Sequence, residues 1–255
     1  MESLTRLAET VRSGVVEGDT TVIAVLVSIF IVILTTVTLI VRSLYSHKRT
    51  GILLVGLCDA GKTLIFSRLV SKRFVQTHTT IKQNSGVYSL RGEKSGKCLH
   101  ILDLPGHERL RYQCLDQTKS LARGIVFVID SLMFQRELKD VAEFLYVLLT
   151  DSVLAQHAPP ILIACNKTDQ ALAKGSKVIQ VQLEKEMNTL RMTKSAALSD
   201  SVGNSNTYLG KRGKDFSFAD LKPFKVEFIE CSARGSKDES LADLKGIEQW
   251  LLRLA

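Results

Sequence analysis

An apolar run, Ile52 to Val55, leads into Gly56-Leu57-Cys58-Asp59-Ala60-Gly61-Lys62-Thr63 and then into Leu64-Ile65-Phe66. No other stretch limits so tightly what the chain can become. A buried strand, a glycine-bounded loop and a helix, in that order, are the opening of a βαβ unit. The glycines let successive backbone N–H groups turn inward around phosphate oxygens, and a helix starting near Lys62 adds the positive end of its dipole. In such a loop Lys62 neutralises β- and γ-phosphates, the Thr63 hydroxyl ligates Mg²⁺, and the backbone from Gly56 to Leu64 forms the cradle. The rival reading is a chance glycine turn. With glycine at about 7% of residues, the four fixed positions coincide in roughly one chain of this length per hundred.

Downstream, strand-like apolar runs alternate with helical patterns, which predicts a mostly parallel six-stranded α/β sheet with helices on both faces. The predicted strands are Ile52 to Val55, Val87 to Leu90, Leu99 to Leu102, Ile125 to Ile129, Ile161 to Cys165 and Val226 to Ile229. Val87 to Leu90 and Leu99 to Leu102 flank a polar turn, Arg91 to Gly96, and are the expected antiparallel exception. Helices are predicted over Lys62 to Lys72, Arg136 to Leu149 and Ser240 to Leu254, with a further one carrying Ile179, Leu183, Met187 and Leu190 at helical spacing. Residues 193–214 turn polar and rich in serine and glycine, and read as a flexible insertion.

Ahead of this domain, Thr20 to Val41 contains no charged residue. About 20 apolar residues suffice to span a bilayer as a helix. A cleaved leader would need a basic start and a shorter apolar core. Here the acidic residues Glu2, Glu9, Glu17 and Asp19 outnumber Arg6 and Arg12. The expected order is a short lumenal tail (1–19), a single transmembrane helix (20–41), a basic linker (42–49) and a cytosolic domain (50–255). Arg42, Lys48 and Arg49 put the positive side, and the domain, in the cytosol. The linker reaches only about 28 Å even when extended. The start Met1-Glu2 lacks the glycine for myristoylation, and no prenylation tail is seen.

The chain's net charge is +8, and since residues 1–19 carry −2 and the run 20–41 none, the part C-terminal to the anchor carries +10. It suits anionic lipid or nearby RNA without any motif for sequence-specific nucleic acid, and a solvated surface accounts for it equally well. The 5 cysteines are scattered, with neither zinc-ligand spacing nor a disulfide framework, as in a reducing compartment.

Three further motifs fall at predicted strand ends. Asp103-Leu104-Pro105-Gly106-His107 offers an acid that can hold Mg²⁺ through water and a glycine whose N–H can sense a γ-phosphate. Asn166-Lys167-Thr168-Asp169 chooses the base, because a carboxylate at Asp169 accepts from the N1–H and 2-amino group of guanine, donors that adenine lacks. Lys167 would lie along the base and Asn166 would brace the loop. Glu230-Cys231-Ser232-Ala233 can turn backbone N–H groups, at Ser232 and Ala233, toward the guanine carbonyl.

Together these residues resemble the small GTPase superfamily, and the Gly-Leu opening of the loop with Asp103-Leu-Pro-Gly-His-Glu108 is most similar to its Arf-related branch. The N-terminal anchor, Phe134-Gln-Arg-Glu137 and Val141-Ala-Glu-Phe-Leu-Tyr146 are similar to the family of signal recognition particle receptor β subunits. That resemblance implies GTP or GDP with Mg²⁺, an endoplasmic reticulum location, and docking of the receptor α subunit, through which signal recognition particle and ribosome–nascent chain complexes reach the membrane. It implies a first switch around Thr77-His78-Thr79-Thr80-Ile81, with Thr80 or its neighbour Thr79 on Mg²⁺. His107 stands where Ras-like proteins carry a water-orienting glutamine, and Cys58 where many relatives have glycine, so slow hydrolysis is expected. The competing readings are a cycling Arf- or Sar-like coat GTPase, disfavoured by a permanent anchor, and a P-loop ATPase or kinase, disfavoured by Asp169.

Overall fold

The computed structural model describes residues 20–44, 49–89, 98–199, 209–211, 213–235 and 242–254. The tail 1–19, half of the linker (45–48), Leu90 with the turn 91–96, residues 200–208 and 212 of the expected insertion, and Ser240 and Leu241 of the expected last helix lie outside them. The chain divides into two compact units, Met1–Lys48 and Arg49–Ala255.

The first unit contributes helix α1 (Thr20–Leu44). Its hydroxyls turn back onto its own carbonyls: Ser28 Oγ donates to Val25 O at 2.8 Å, Thr35 Oγ1 to Val32 O at 2.9 Å and Thr38 Oγ1 to Thr35 O at 2.8 Å. The side chains of Val27, Phe30, Ile33 and Leu34 stay exposed. Among the described residues, no helix is long and apolar enough to cross a membrane. The transmembrane expectation therefore gains no support from the structure.

The second unit is a 6-stranded sheet between helices. Its elements are β1 (Gly51–Val55), α2 (Lys62–Val70), β2 (Asn84–Ser89), β3 (Cys98–Asp103), α3 (Glu108–Thr118), β4 (Ala122–Asp130), α4 (Phe134–Thr150), α5 (Ser152–His157), β5 (Ile161–Asn166), α6 (Ser176–Ser199), β6 (Val226–Glu230) and α7 (Lys245–Leu254). The order across the sheet is β2-β3-β1-β4-β5-β6. All neighbours are parallel except β2 and β3. β1 and β5 are buried at every residue, as strands covered on both faces must be. Successive side chains point to opposite faces, so the core has two layers. Leu53, Phe127 and Ile163 pack with Phe144 and Leu148 of α4 and with Ile179 and Leu183 of α6, while Ile52, Val126 and Leu162 pack with Ile65 of α2 and Trp250 of α7.

Several boundaries differ from the sequence reading. α2 stops at Val70. The last helix begins at Lys245, because Asp243 is spent on a two-way backbone pairing with Ser232 (3.0 and 2.9 Å). α6 runs to Ser199, past the Thr193 at which the flexible insertion was expected to begin, and the Thr193 hydroxyl bonds the Thr189 carbonyl one turn back at 3.0 Å. The other end of that segment is tied down: the buried Arg191 guanidinium donates to the carbonyls of Leu209, Lys211 and Lys214. α3 and α5 were not foreseen. α3 is mostly polar, and α5 is a single turn or so, capped by Asp151, which accepts from the N–H groups of Val153 and Leu154 (2.9 and 3.0 Å).

Candidate nucleotide site

In a parallel sheet the carboxyl ends of the strands share one edge, and the loops there form the crevice where ligands bind. The loop after β1 turns on two glycines with positive φ. A Cβ at Gly56 (φ 142°) would meet Val128 O at 2.3 Å, and one at Gly61 (φ 91°) would meet Asn166 Nδ2 at 2.3 Å. Gly61 then delivers the chain into α2 at Lys62. Lys62 is buried, and its Nζ folds back to donate to Leu57 O at 2.5 Å. Burial pushes the ammonium's pKa down, while Asp103, Cys58 and Asp59 pull the other way. A desolvated cation at the start of a helix is a receptor for anionic oxygen.

Thr63 follows. Its hydroxyl donates to Asp103 Oδ2 at 2.8 Å, and Asn84 Nδ2 donates to the same oxygen at 3.0 Å. Asp103 is wholly buried and its Oδ1 has no partner among the described residues. Burial raises this carboxyl's pKa, and the bonds from Asn84 and Thr63 offset part of the rise. A buried carboxylate oxygen with no donor, beside a hydroxyl, fits a hydrated hard cation such as Mg²⁺, which prefers oxygen ligands and retains several waters.

A cavity of about 200 Å³ gathers Cys58, Asp59, Gly61, Lys62, Thr63, Leu64, Thr77, His78, Thr79, Thr80, Gly106 and Lys167. The phosphate loop, the expected first switch and the glycine of the second motif thus share one wall. Gly106 lies hard against the loop: a Cβ there would stand 2.6 Å from Leu57 C, Cys58 N and Lys62 Nζ. Gly56, Leu57 and Ala60 form the buried base of the loop, and Asp103 is reached through Thr63. His107 is not on this wall. It is exposed, it caps α3 by accepting from Arg109 N at 3.4 Å, and it lines a neighbouring hollow with Thr79, Thr80 and Ile81.

Asn166 ties the second half of the site to the first. Its Nδ2 donates to Ala60 O in the phosphate loop at 2.8 Å, and its Oδ1 accepts from Ala233 N at 3.0 Å. Thr168 Oγ1 donates to Cys231 O at 2.9 Å, closing the two base loops on each other. Asp169 accepts from Ser232 Oγ at 2.6 Å and from Gln170 Nε2 at 2.7 Å. Burial opposes ionisation of Asp169, but these donors outweigh it and hold the carboxyl below its ordinary range. Lys167, at φ 65°, donates to Asp130 Oδ2 at 2.6 Å, so its stem is aligned by an acid.

Asn84 and Asp130 escaped the sequence reading. Both are placed by strand register, Asn84 opposite Asp103 and Asp130 opposite Asn166. An acid ending a buried strand was the available signal for Asp130, whose Oδ1 also accepts from the N–H groups of Leu132 and Met133 (2.9 and 3.2 Å). Asn84 left none, since its partner depends on a pairing that starts before the apolar run.

A family model described as signal recognition particle receptor beta subunit matches residues 47–226. The chain is 50% identical over 251 residues to the signal recognition particle receptor subunit beta of Homo sapiens, covering 97% of this chain and 92% of that protein. Among solved structures, the mammalian SRP receptor matches with a TM-score of 0.70 at 51% identity, over 80% of this chain and all of that one (100%). The receptor SRb-GTP/SRX complex from Chaetomium thermophilum shares the fold, with a TM-score of 0.62 at 22% identity over 79% of this chain and 97% of that one.

Proposed function

The chain belongs to the family of signal recognition particle receptor β subunits, and from that premise we propose that it is a membrane-anchored, GTP-binding docking subunit. The observation that carries the nucleotide reading is Asp169, an acid held ionised by Ser232 and Gln170 on a base loop that Asn166 bonds to the phosphate loop. A fixed carboxylate selects a base with two adjacent donors, which is guanine. Lys62 and the amides of residues 56–64 hold the phosphates, with Thr77 to Thr80 and Gly106 closing over them. Mg²⁺, which neutralises phosphate charge when bound, would be held by Thr63, by Asp103 through water and by a switch threonine. Thr80 is half-buried and Thr79 exposed, which favours Thr80.

Nucleotide state then sets the shape of a surface for the receptor α subunit, and through it for the signal recognition particle and ribosome–nascent chain complex. A related receptor's complex with GTP and SRX supports this reading. Hydrolysis is slow: Cys58 and Gly106 crowd the phosphate wall, and His107 is occupied as a helix cap outside it. The anchor is proposed on the sequence, on the uncharged run Thr20 to Val41. It leaves residues 1–19 lumenal and 50–255 cytosolic at the endoplasmic reticulum, single-pass, next to the lipid surface.

Changing Asp169→Asn tests the base assignment. Affinity should pass from guanine to xanthine nucleotides, and unchanged GTP affinity would refute it. Affinity capture from solubilised membranes tests the docking role. The full chain loaded with a non-hydrolysable GTP analogue should retain the α subunit and the GDP form should not, whereas recovery of coat proteins would overturn the reading.

A further inference from the structure

Two lysines, Lys62 and Lys167, line the phosphate cavity, and the fold treats their charges differently. Lys62 is buried at the start of α2 and donates to a neutral oxygen, Leu57 O, so its positive charge stays open to an anionic ligand. Lys167 donates instead to a carboxylate, Asp130 Oδ2, at 2.6 Å. The Asp130 side chain is 3% exposed, while that of Lys167 is 35% exposed. One ammonium is open to phosphate, and the other is already neutralised from within.

The bland account is a buried acid that needs a counter-ion. Asp130 needs one less than most, because its Oδ1 accepts from the N–H groups of Leu132 and Met133 just ahead of α4, where a helix start favours negative charge. A buried ion pair is also weak evidence of stabilisation. What the pair does achieve is to fix both ends of a long side chain. The Lys167 backbone stands at φ 65°, a left-handed conformation uncommon for lysine, held between Asn166, which bonds Ala60 and Ala233, and Thr168, which bonds Cys231. The acid is as firmly placed: Ser131 N donates to Asn166 O at 3.0 Å, and Lys174 N to Ser131 O at 2.9 Å, so the loops after β4 and β5 are joined around the pair. With backbone and ammonium both anchored, the methylene stem between them is what Lys167 has left to offer the cavity.

We propose that Asp130 is a positioning residue for nucleotide binding: by holding the Lys167 ammonium it lays the stem of that lysine down as an apolar platform for the face of the base, and it keeps the second positive charge off the phosphates, which are left to Lys62. The proposal rests on the guanine reading above and adds to it a residue outside the four motifs. Asp169 reads the edge of the base, whereas Asp130 acts through Lys167 on its face. The two acids therefore govern separate properties, Asp169 the choice of base and Asp130 the affinity for any purine nucleotide that the site accepts.

The test measures equilibrium affinities of the full chain in detergent for GDP and for xanthosine diphosphate, at low and high salt. Asp130→Asn keeps the shape and the acceptor for Leu132 and Met133 but releases the ammonium. It should weaken GDP binding about tenfold, the worth of roughly two methylenes of covered stem. Adding Lys167→Met restores an unbranched apolar stem without a charge, and should bring affinity back to within about threefold of the native chain with the native salt dependence. Adding Lys167→Ala instead removes the stem and should recover nothing. The preference for GDP over xanthosine diphosphate should stay the same throughout, because Asp169 is untouched. Native affinity in Asp130→Asn, no recovery with methionine, or equal recovery with alanine would reduce Asp130 to a structural role. A methionine variant whose affinity no longer falls with salt would show that the Lys167 charge serves the phosphates, and would overturn the proposal. A native chain that does not prefer GDP would refute the guanine reading, whatever the recovery pattern. Should Asp130→Asn alone fail to fold, the two double variants decide the matter, methionine within about threefold of native and alanine at least about tenfold below it.

Discussion

Replacing Asn166 is the sharpest perturbation that the structure offers, because one buried amide serves two loops. Asn166→Ala leaves two main-chain groups without partners, the Ala60 carbonyl and the Ala233 N–H. Both residues are almost fully buried, at 1% and 2% exposure, so water cannot replace the lost bonds. Each orphaned group costs about 1–3 kcal/mol, together about 2–6 kcal/mol. That is a large share of the roughly 5–15 kcal/mol that stabilises a domain. For a domain of this size the melting temperature should fall by about 2–4 °C per kcal/mol. Asn166→Asp separates the two bonds: an oxygen can still accept from Ala233, but the other oxygen now faces the Ala60 carbonyl and adds a buried charge. It should be at least as destabilising as the alanine change, despite its nearly identical shape. Thermal unfolding of the full chain, followed with and without GDP, measures both variants. Loss of the link between loops should also shrink the stabilisation that nucleotide confers. A drop below about 1 kcal/mol in Asn166→Ala, or an aspartate variant as stable as the native chain, would refute the argument that Asn166 joins the two halves of the site.

Other outcomes follow from single groups. Burial raises the pKa of Asp103, so its ionised form costs the empty fold at neutral pH, and that cost is relieved as pH falls through the raised value. Asp103→Asn should therefore raise the melting temperature in EDTA, by the equivalent of about 1 kcal/mol, while abolishing the Mg²⁺ dependence of nucleotide affinity. Gly106→Ala places a methyl 2.6 Å from the backbone at Leu57 and Cys58, so the phosphate loop must move, and nucleotide dissociation should quicken at least tenfold in a stopped-flow displacement assay. Asp169 has a lowered pKa, so its bond from Ser232 stabilises fully above the ordinary carboxylate range and fades as pH falls through the lower, folded value. Ser232→Ala should cost about 1 kcal/mol at pH 7 in urea unfolding, with the gap closing toward pH 3. A gap independent of pH would show that Asp169 is not the group involved.

How much of this was legible in the chain depends on the range of the interaction. Apolar runs pointed to every strand, most plainly to the inner ones, because strands covered on both faces must be apolar throughout, as Ile161 to Cys165 and Ile125 to Ile129 are, whereas the edge strands β2 and β6 are only partly buried. The antiparallel pair was legible too, from two runs around a polar turn, and it is the pairing of β2 with β3. The motifs named residues wherever the expected chemistry demands a particular side chain within a few positions, as at Lys62-Thr63 or Asn166 to Asp169, and the structure joins the two loops through Asn166 and Ala60. What was not legible is what register and packing decide. Asn84 meets Asp103, and Asp130 meets Lys167, only once the strands are aligned. The helix following the second motif hides its buried side among charges, since Arg111 is buried by lying over Tyr112 and Phe144 (4.8 and 5.2 Å to the ring centroids) and reads in the sequence as a surface residue. His107 shows the same limit from the other side. Its position in the motif suggested a place near the γ-phosphate, whereas the start of α3 there turns the imidazole into a cap for the helix. Spacing reports which residue arrives at a strand end, but the element that begins next decides which way that residue faces. A prediction of catalysis from His107 therefore needed α3, and α3 was the helix that the apolar pattern could not show.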